Sequence, residues 1–202
     1  MNEMNRSSAV VTMHMNDAQN IPDQRTFICL GVPRGGTSAV AGTMQRLGVF
    51  MGSGLTNNYE DADFLGRGVK QMAESARQRD GAHDVWGWKC PDAVNYLDEL
   101  LPHVRNPHLI VVFRDIIATM KAHMRWHNRN QQRSVHEVLI QQQRNWFLVE
   151  RWKLPTALIS YEKAITKPNV FVHHLADFMT LPRPADDAIG AFAEFLRPGS
   201  YK

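Results

Sequence analysis

Long apolar runs are missing from this 202-residue chain: no stretch approaches the roughly 18 consecutive apolar residues of a membrane-spanning helix. The N-terminus is Asn-, Met- and Ser-rich and lacks the apolar core of a signal peptide. Cysteine is scarce. Cys29 and Cys90 have no metal-ligand spacing, so the expectation is reduced thiols in a cytoplasmic setting. Strong charge of either sign is also absent: 23 Lys and Arg stand against 20 Asp and Glu, a net charge of +3. That excess suits anionic ligands mildly and does not argue for a nucleic-acid partner. Internal repeats and low-complexity tracts are lacking too.

What is present is an alternation of short apolar runs and helical stretches. Thr26–Leu30, Val85–Lys89, Leu109–Phe113 and Thr156–Ser160 read as strands, apolar without alternation, as strands buried on both faces are. Helices are expected at Ser38–Leu47, Asp61–Arg79, Asp92–Leu101, Ile116–Asn128, Ser134–Lys153, Pro168–Met179 and Pro184–Leu196. Asp80-Gly81 reads as a turn and Asn130–Arg133 as a polar break before a Ser134…Glu137 capping box. On the long helix, Val135, Val138, Leu139, Trp146, Val149 and Trp152 are expected to share one buried face. The fold class is therefore α/β, a three-layer sandwich around a central parallel sheet of about four to five strands. Residues 1–24 are expected to be a disordered or loosely ordered lead, with room for one short ordered piece around Val10–Met13, and 25–202 a single domain.

The first strand runs into Gly31-Val32-Pro33-Arg34-Gly35-Gly36-Thr37-Ser38 and then a helix. A glycine loop feeding a helix N-terminus is an anion seat, because unpaired backbone N–H groups and the helix dipole both favour negative charge there. The loop nearly matches the nucleotide-triphosphate pattern G-x-x-x-x-G-K-[ST], but Thr37 stands where the lysine belongs and the nearest cation, Arg34, lies inside the loop. Ligands of parallel sheets gather beyond the carboxyl ends of the strands. The other strands end there in Lys89, Arg114 and Tyr161. Three cations and an aromatic at one rim suit a nucleotide with more than one phosphate-like group.

These motifs, in this order, resemble the sulfotransferase family that uses 3′-phosphoadenosine 5′-phosphosulfate (PAPS). Val32–Ser38 resembles the family's 5′-phosphosulfate loop, and Phe113-Arg114-Asp115 before a helix resembles its 3′-phosphate motif. Trp88-Lys89-Cys90-Pro91 resembles a W-K-D-P segment, and Ser160-Tyr161-Glu162-Lys163-Ala164 resembles S-Y-E-D-L, whose tyrosine lies near the adenine. The resemblance runs from about Thr26 to Leu181. It implies sulfuryl transfer from PAPS to a hydroxyl or amine of a small-molecule or carbohydrate acceptor, leaving adenosine 3′,5′-bisphosphate, with no metal required. It also implies P-loop-like binding by Arg34, Gly35, Gly36, Thr37 and Ser38.

Carried over residue by residue, the resemblance gives Arg34 and Lys89 to the leaving oxygen. It gives Glu60, in Asn58-Tyr59-Glu60-Asp61, to the acceptor proton, with Asp63 and His83 as the next choices for base. Arg114 goes to the 3′-phosphate. Ala122 occupies the position of the family's 3′-phosphate serine, so Thr119, one turn earlier, is the expected substitute. Gly35, Ile116 and Cys90 are further departures from the family's usual residues.

Plainer readings stand beside these. Arg114 pairs with Asp115 or Glu162, Tyr161 is core, and Glu60 caps a helix. His123 and His127, four apart on a helix, lack a third metal ligand at a recognisable spacing. Lys121, Arg125 and Arg129 read as a solvated helix face that extends the positive field, and Trp126, Trp146 and Trp152 as packing. Two other functions remain open: an atypical P-loop kinase or NTPase with Asp115 after a Walker B-like strand, and a catalytically silent nucleotide-binding scaffold. Acceptor identity and oligomeric state are open as well.

Overall fold

A computed structural model describes residues 8–15, 22–127 and 130–200. Its centre is a five-stranded sheet in the order β1-β5-β4-β2-β3, formed by β1 (Val10–Met13), β2 (Arg25–Gly31), β3 (Val85–Lys89), β4 (Pro107–Phe113) and β5 (Thr156–Ser160). The pairs β2–β3, β2–β4 and β4–β5 are parallel. The expected central parallel sheet is there, and one edge strand is added to it the other way: β1 runs antiparallel to β5, with Val10 opposite Ile159. This strand is the short ordered piece anticipated around Val10–Met13.

Alternating side chains on each strand build two cores. Phe27 and Cys29 of β2, with Ile110 and Val112 of β4, face one layer, which includes Val40, Met44, Phe171 and Leu175. Ile28 and Leu30, with Leu109 and Val111, face the other, with Trp86, Trp88, Leu97 and Val149. Every residue of β2 is buried, and that is why its sequence shows no polar alternation.

The helices are α1 (Thr37–Arg46), α2 (Val69–Ala82), α3 (Leu97–Leu100), α4 (Ile116–His127), α5 (Gln131–Trp152), α6 (Tyr161–Thr166), α7 (Pro168–Met179) and α8 (Asp186–Phe195). Among the described residues, no helix is long and apolar enough to cross a membrane. Several boundaries differ from the sequence reading. The stretch expected as one helix from Asp61 is a 3-10 turn, Ala62–Phe64, and then α2, separated by Gly66 in the left-handed region (φ +69). Asp80-Gly81 is the last turn of α2 rather than a turn between elements. The helix expected over Asp92–Leu101 is two short 3-10 turns around the four-residue α3.

Asn130–Arg133 is not a break. Asn130 caps α5 by accepting a hydrogen bond from the Arg133 amide, and Ser134, expected as the cap, is buried. Residues 1–7 and 16–21 of the expected lead, Arg129, and the side chains of Trp126 and His127 lie outside the described residues.

The order of the sheet positions the site. From β2 the chain passes through α1 to β3 on one side, then returns to the other side of β2 for β4 and β5. The reversal opens a crevice at the carboxyl ends of β2 and β4, the usual ligand position in such sheets.

Candidate active site

A cavity of about 880 Å³ occupies that crevice, a volume suited to a nucleotide-sized ligand. The loop after β2 forms its floor. A tight turn in which the Gly35 N–H donates to the Val32 carbonyl (2.8 Å) begins the bend. Gly36 then takes a left-handed conformation (φ +90) as the N-terminal flank of α1. A Cβ on Gly36 would lie 2.1 Å from the Tyr161 ring, so both backbone and space require glycine here. The amides of Gly36, Thr37 and Ser38 have no hydrogen-bond partner among the described residues, and no side chain caps α1. They are orphan donors at a helix N-terminus that also borders the cavity.

Lys89, at the end of β3, and Glu60 reach the cavity together. Lys89 Nζ lies 2.7 Å from Glu60 Oε1 and donates to the Asn58 carbonyl at 3.1 Å, with 2% of the lysine side chain exposed. The turn that presents Glu60 is built by Thr56, whose Oγ1 accepts from the amides of Asn58 and Glu60. Tyr59 takes a left-handed conformation between them (φ +62). The Asn58 carbonyl also accepts from Ser38 Oγ at 3.1 Å, so it joins this turn to α1 and to β3. Sequence reading missed Asn58; its signal was a turn-forming Asn-Asn pair just before Glu60.

Arg114 leaves the end of β4 and donates through a terminal nitrogen to the Arg34 carbonyl at 2.9 Å. Its guanidinium carbon sits 4.7 Å from the centre of the Tyr161 ring. The ion pairs considered for Arg114 do not form. Asp115 Oδ1 accepts from the Ala118 amide and caps α4, while Glu162 Oε1 accepts from the Asp115 amide. Arg114 Nε is buried with no acceptor among the described residues. A half-buried guanidinium with a buried unmet donor and no carboxylate partner favours an anion in this cavity.

Arg34, Glu60, Lys89, Arg114 and Tyr161 therefore converge on one cavity with Gly36, Thr37 and Ser38, whereas Gly35, expected to bind beside them, does not line it and donates its amide to Val32. Thr119 does not reach it either. It is fully buried, its Oγ1 donates to the Asp115 carbonyl at 2.9 Å within α4, and it does not line the cavity. The α4 residues that do line it are Ala122 and Arg125, so the hydroxyl expected from Thr119 is not presented to the cavity, and the side chain α4 brings there besides Ala122 is a cation, Arg125. Asp63 and His83 also lie elsewhere: Asp63 pairs with Arg79 and Arg67, and the His83 ring stacks on Phe50 at 3.8 Å. Tyr161 is 3% exposed beneath Gly36 and Arg114, so it is core and wall at once.

In the sequence His123 stands out only for its four-residue spacing from His127. Its Nε2 lies 2.6 Å from the Pro33 carbonyl oxygen, which ties α4 to the glycine loop. Among the described residues, no group of three or more His, Cys, Asp or Glu side chains is placed to hold a metal ion. Cys29 and Cys90 are buried free thiols; burial pushes Cys29 up to about 12, opposed by the charge of Lys89, and raises Cys90 as well.

No family model matches the chain, and no curated protein sequence does. A search of solved structures finds the sulfotransferase domain of the olefin synthase of Synechococcus PCC 7002, with a TM-score of 0.53 over 93% of this chain and 82% of that one. The fold is sulfotransferase-like. At 16% sequence identity the likeness is one of architecture. A mostly parallel sheet flanked by helices is what this chain has in common with the sulfotransferase domain.

Proposed function

We propose that the protein is a PAPS-dependent sulfotransferase that passes a sulfuryl group to a hydroxyl or amine acceptor, with carbohydrate among the candidate acceptors. The observation that carries this reading is Arg114, a guanidinium with a buried unmet Nε, no carboxylate partner and a bond to the backbone of the glycine loop. The residues fit the 5′ end of the donor well: orphan amides at Gly36, Thr37 and Ser38, with Arg34 on the same wall. At the 3′ end they fit in a different way from the family's, through Arg114 and Arg125 rather than a hydroxyl.

When bound, the donor supplies an activated S–O bond. That bond breaks as a new one forms to the acceptor heteroatom, and the proton lost by the acceptor goes to a base. Glu60 takes this proton, and its ion pair with Lys89 fixes the carboxylate orientation. Lys89 and Arg34 carry the charge that grows on the leaving phosphate oxygen, and positioning supplies most of the remaining acceleration. Asp115 caps α4 and does not line the cavity, which supports this reading over a kinase in which Asp115 would hold magnesium.

The test is thermal shift. Adenosine 3′,5′-bisphosphate is expected to raise the Tm without magnesium, and ATP with magnesium to do so much less; the reverse ranking refutes the proposal. With radiolabelled PAPS and a panel of acceptors, transfer that is lost in Arg34→Ala identifies the enzyme. Tight cofactor binding with no such transfer points to a silent scaffold.

A further inference from the structure

Helix α5 has two apolar faces. One packs on the sheet through Val138, Leu148 and Val149. On the opposite side Leu139 is 46% exposed, Ile140 41%, Trp146 37% and Phe147 55%. The sequence pattern had placed Leu139 and Trp146 in the buried stripe with Val138 and Val149, and the structure separates them. A surface helix ordinarily turns polar residues outward, and a cluster of large apolar side chains there marks an interaction site.

The exposed face is symmetric about its own midpoint. Counting outward from Gln143, apolar residues stand three and four positions away in both directions, Ile140 and Leu139 on one side, Trp146 and Phe147 on the other; His136 and Glu150 stand seven away. All of these are exposed. Spacings of three and four residues keep a seam on one side of a helix. A seam that reads alike from both ends is complementary to itself when two helices lie antiparallel, the arrangement a two-fold axis imposes.

We propose that this face binds a second copy of the same chain, with the two α5 helices antiparallel and the two Gln143 side chains meeting on the axis. Leu139 then packs on Phe147 of the second copy and Ile140 on Trp146, while each His136 lies opposite a Glu150. The end pairing supplies a donor facing a carboxylate, and among the described residues Glu150 has one ion-pair neighbour, His14, at 4.0 Å. The seam from His136 to Glu150 is about 21 Å long at 1.5 Å per residue. A single-helix seam falls at the small end of specific interfaces, so the dimer is expected to form reversibly at micromolar concentration.

Sedimentation velocity on the full chain is expected to show a concentration-dependent species of twice the 23.0 kDa chain mass. Leu139→Glu and Phe147→Lys should each give a monomer with unchanged circular dichroism, because both positions are exposed. The double variant restores the dimer, since each new glutamate then faces a new lysine across the axis. Gln143→Cys is expected to cross-link to itself under mild oxidation, against a quiet background from the buried Cys29 and Cys90. A monomer at every concentration, a dimer indifferent to both single variants, or a double variant that stays monomeric overturns the proposal. So does co-sedimentation of a monomer with phosphatidylcholine vesicles that Phe147→Lys abolishes, which assigns the face to a membrane surface.

Discussion

Lys89 and Glu60 form a single unit: the nitrogen and oxygen are 2.7 Å apart, and the lysine side chain is 2% exposed. Two side chains 29 positions apart in sequence, each assigned a separate catalytic task from its own motif, hold one another in place. Removing one partner leaves a charge without compensation, whereas removing both leaves none. Lys89→Met and Glu60→Gln are each expected to lower stability, the lysine change by about 3 kcal/mol because it strands a carboxylate beside a buried methionine. The double variant should fall well short of the sum. Urea unfolding of the four proteins measures the coupling, and strict additivity would show that the two side chains act apart. All three variants should lose transfer activity.

Arg114 is expected to trade stability for binding. Its charge has no carboxylate partner, so Arg114→Gln should leave the Tm of the free protein unchanged or raise it. A hydrogen bond to a charged group contributes about 1.5–3 kcal/mol, so affinity for adenosine 3′,5′-bisphosphate should fall roughly 10- to 100-fold. Titration calorimetry reads the second effect and thermal melting the first. A large loss of stability with unchanged affinity would make Arg114 a structural residue.

Gly36 tests the loop through two separable causes. Alanine there meets both a left-handed backbone, costing about 1–2 kcal/mol, and the Tyr161 ring 2.1 Å from its Cβ. Gly36→Ala should therefore destabilise the protein and abolish nucleotide binding. Tyr161→Ala removes the clash but forfeits the packing of a core ring, so it serves as the reference: in that background Gly36→Ala is expected to cost less than in the native protein, leaving the backbone cost alone. No cost in that background would mean that the left-handed conformation is not needed.

What could be read in advance follows from how local each signal is. The four parallel strands and the residues at their carboxyl ends were legible, because a run such as Leu109–Phe113 states its burial in its own composition. The edge strand β1 was harder, since its partner lies nearly 150 positions away and Val11 is exposed. Within the site, Arg34, Lys89, Arg114 and the glycine loop were legible as motif residues. Thr119 was misplaced because one turn of helix looks equivalent in sequence, and only the packing of α4 decides that Thr119 turns inward while Ala122 and Arg125 line the cavity. The contacts of His123 with Pro33 and of Asn58 with Ser38 and Lys89 run to backbone carbonyls, which carry no side-chain signature.

His108 sets the expected pH dependence of stability. It is 4% exposed at the start of β4, with its ring 5.4 Å from that of Phe27 and 6.2 Å from that of Phe178. Burial lowers its pKa below the ordinary 6.5, Arg25 pushes in the same direction, and a bond to the Asn106 carbonyl opposes them. The unfolded chain therefore takes up a proton first as the pH falls, and the folded state loses ground. Stability is fully present above 6.5 and declines as the pH drops from there toward the folded-state value. Asp177 also has a lowered pKa, held down by its hydrogen bond to Arg183, but its contribution is lost only at pH values below 3.8, outside this window. Urea midpoints measured on either side of 6.5 should differ in the native protein and much less in His108→Gln. An equal slope in the two proteins would assign the titration to another group.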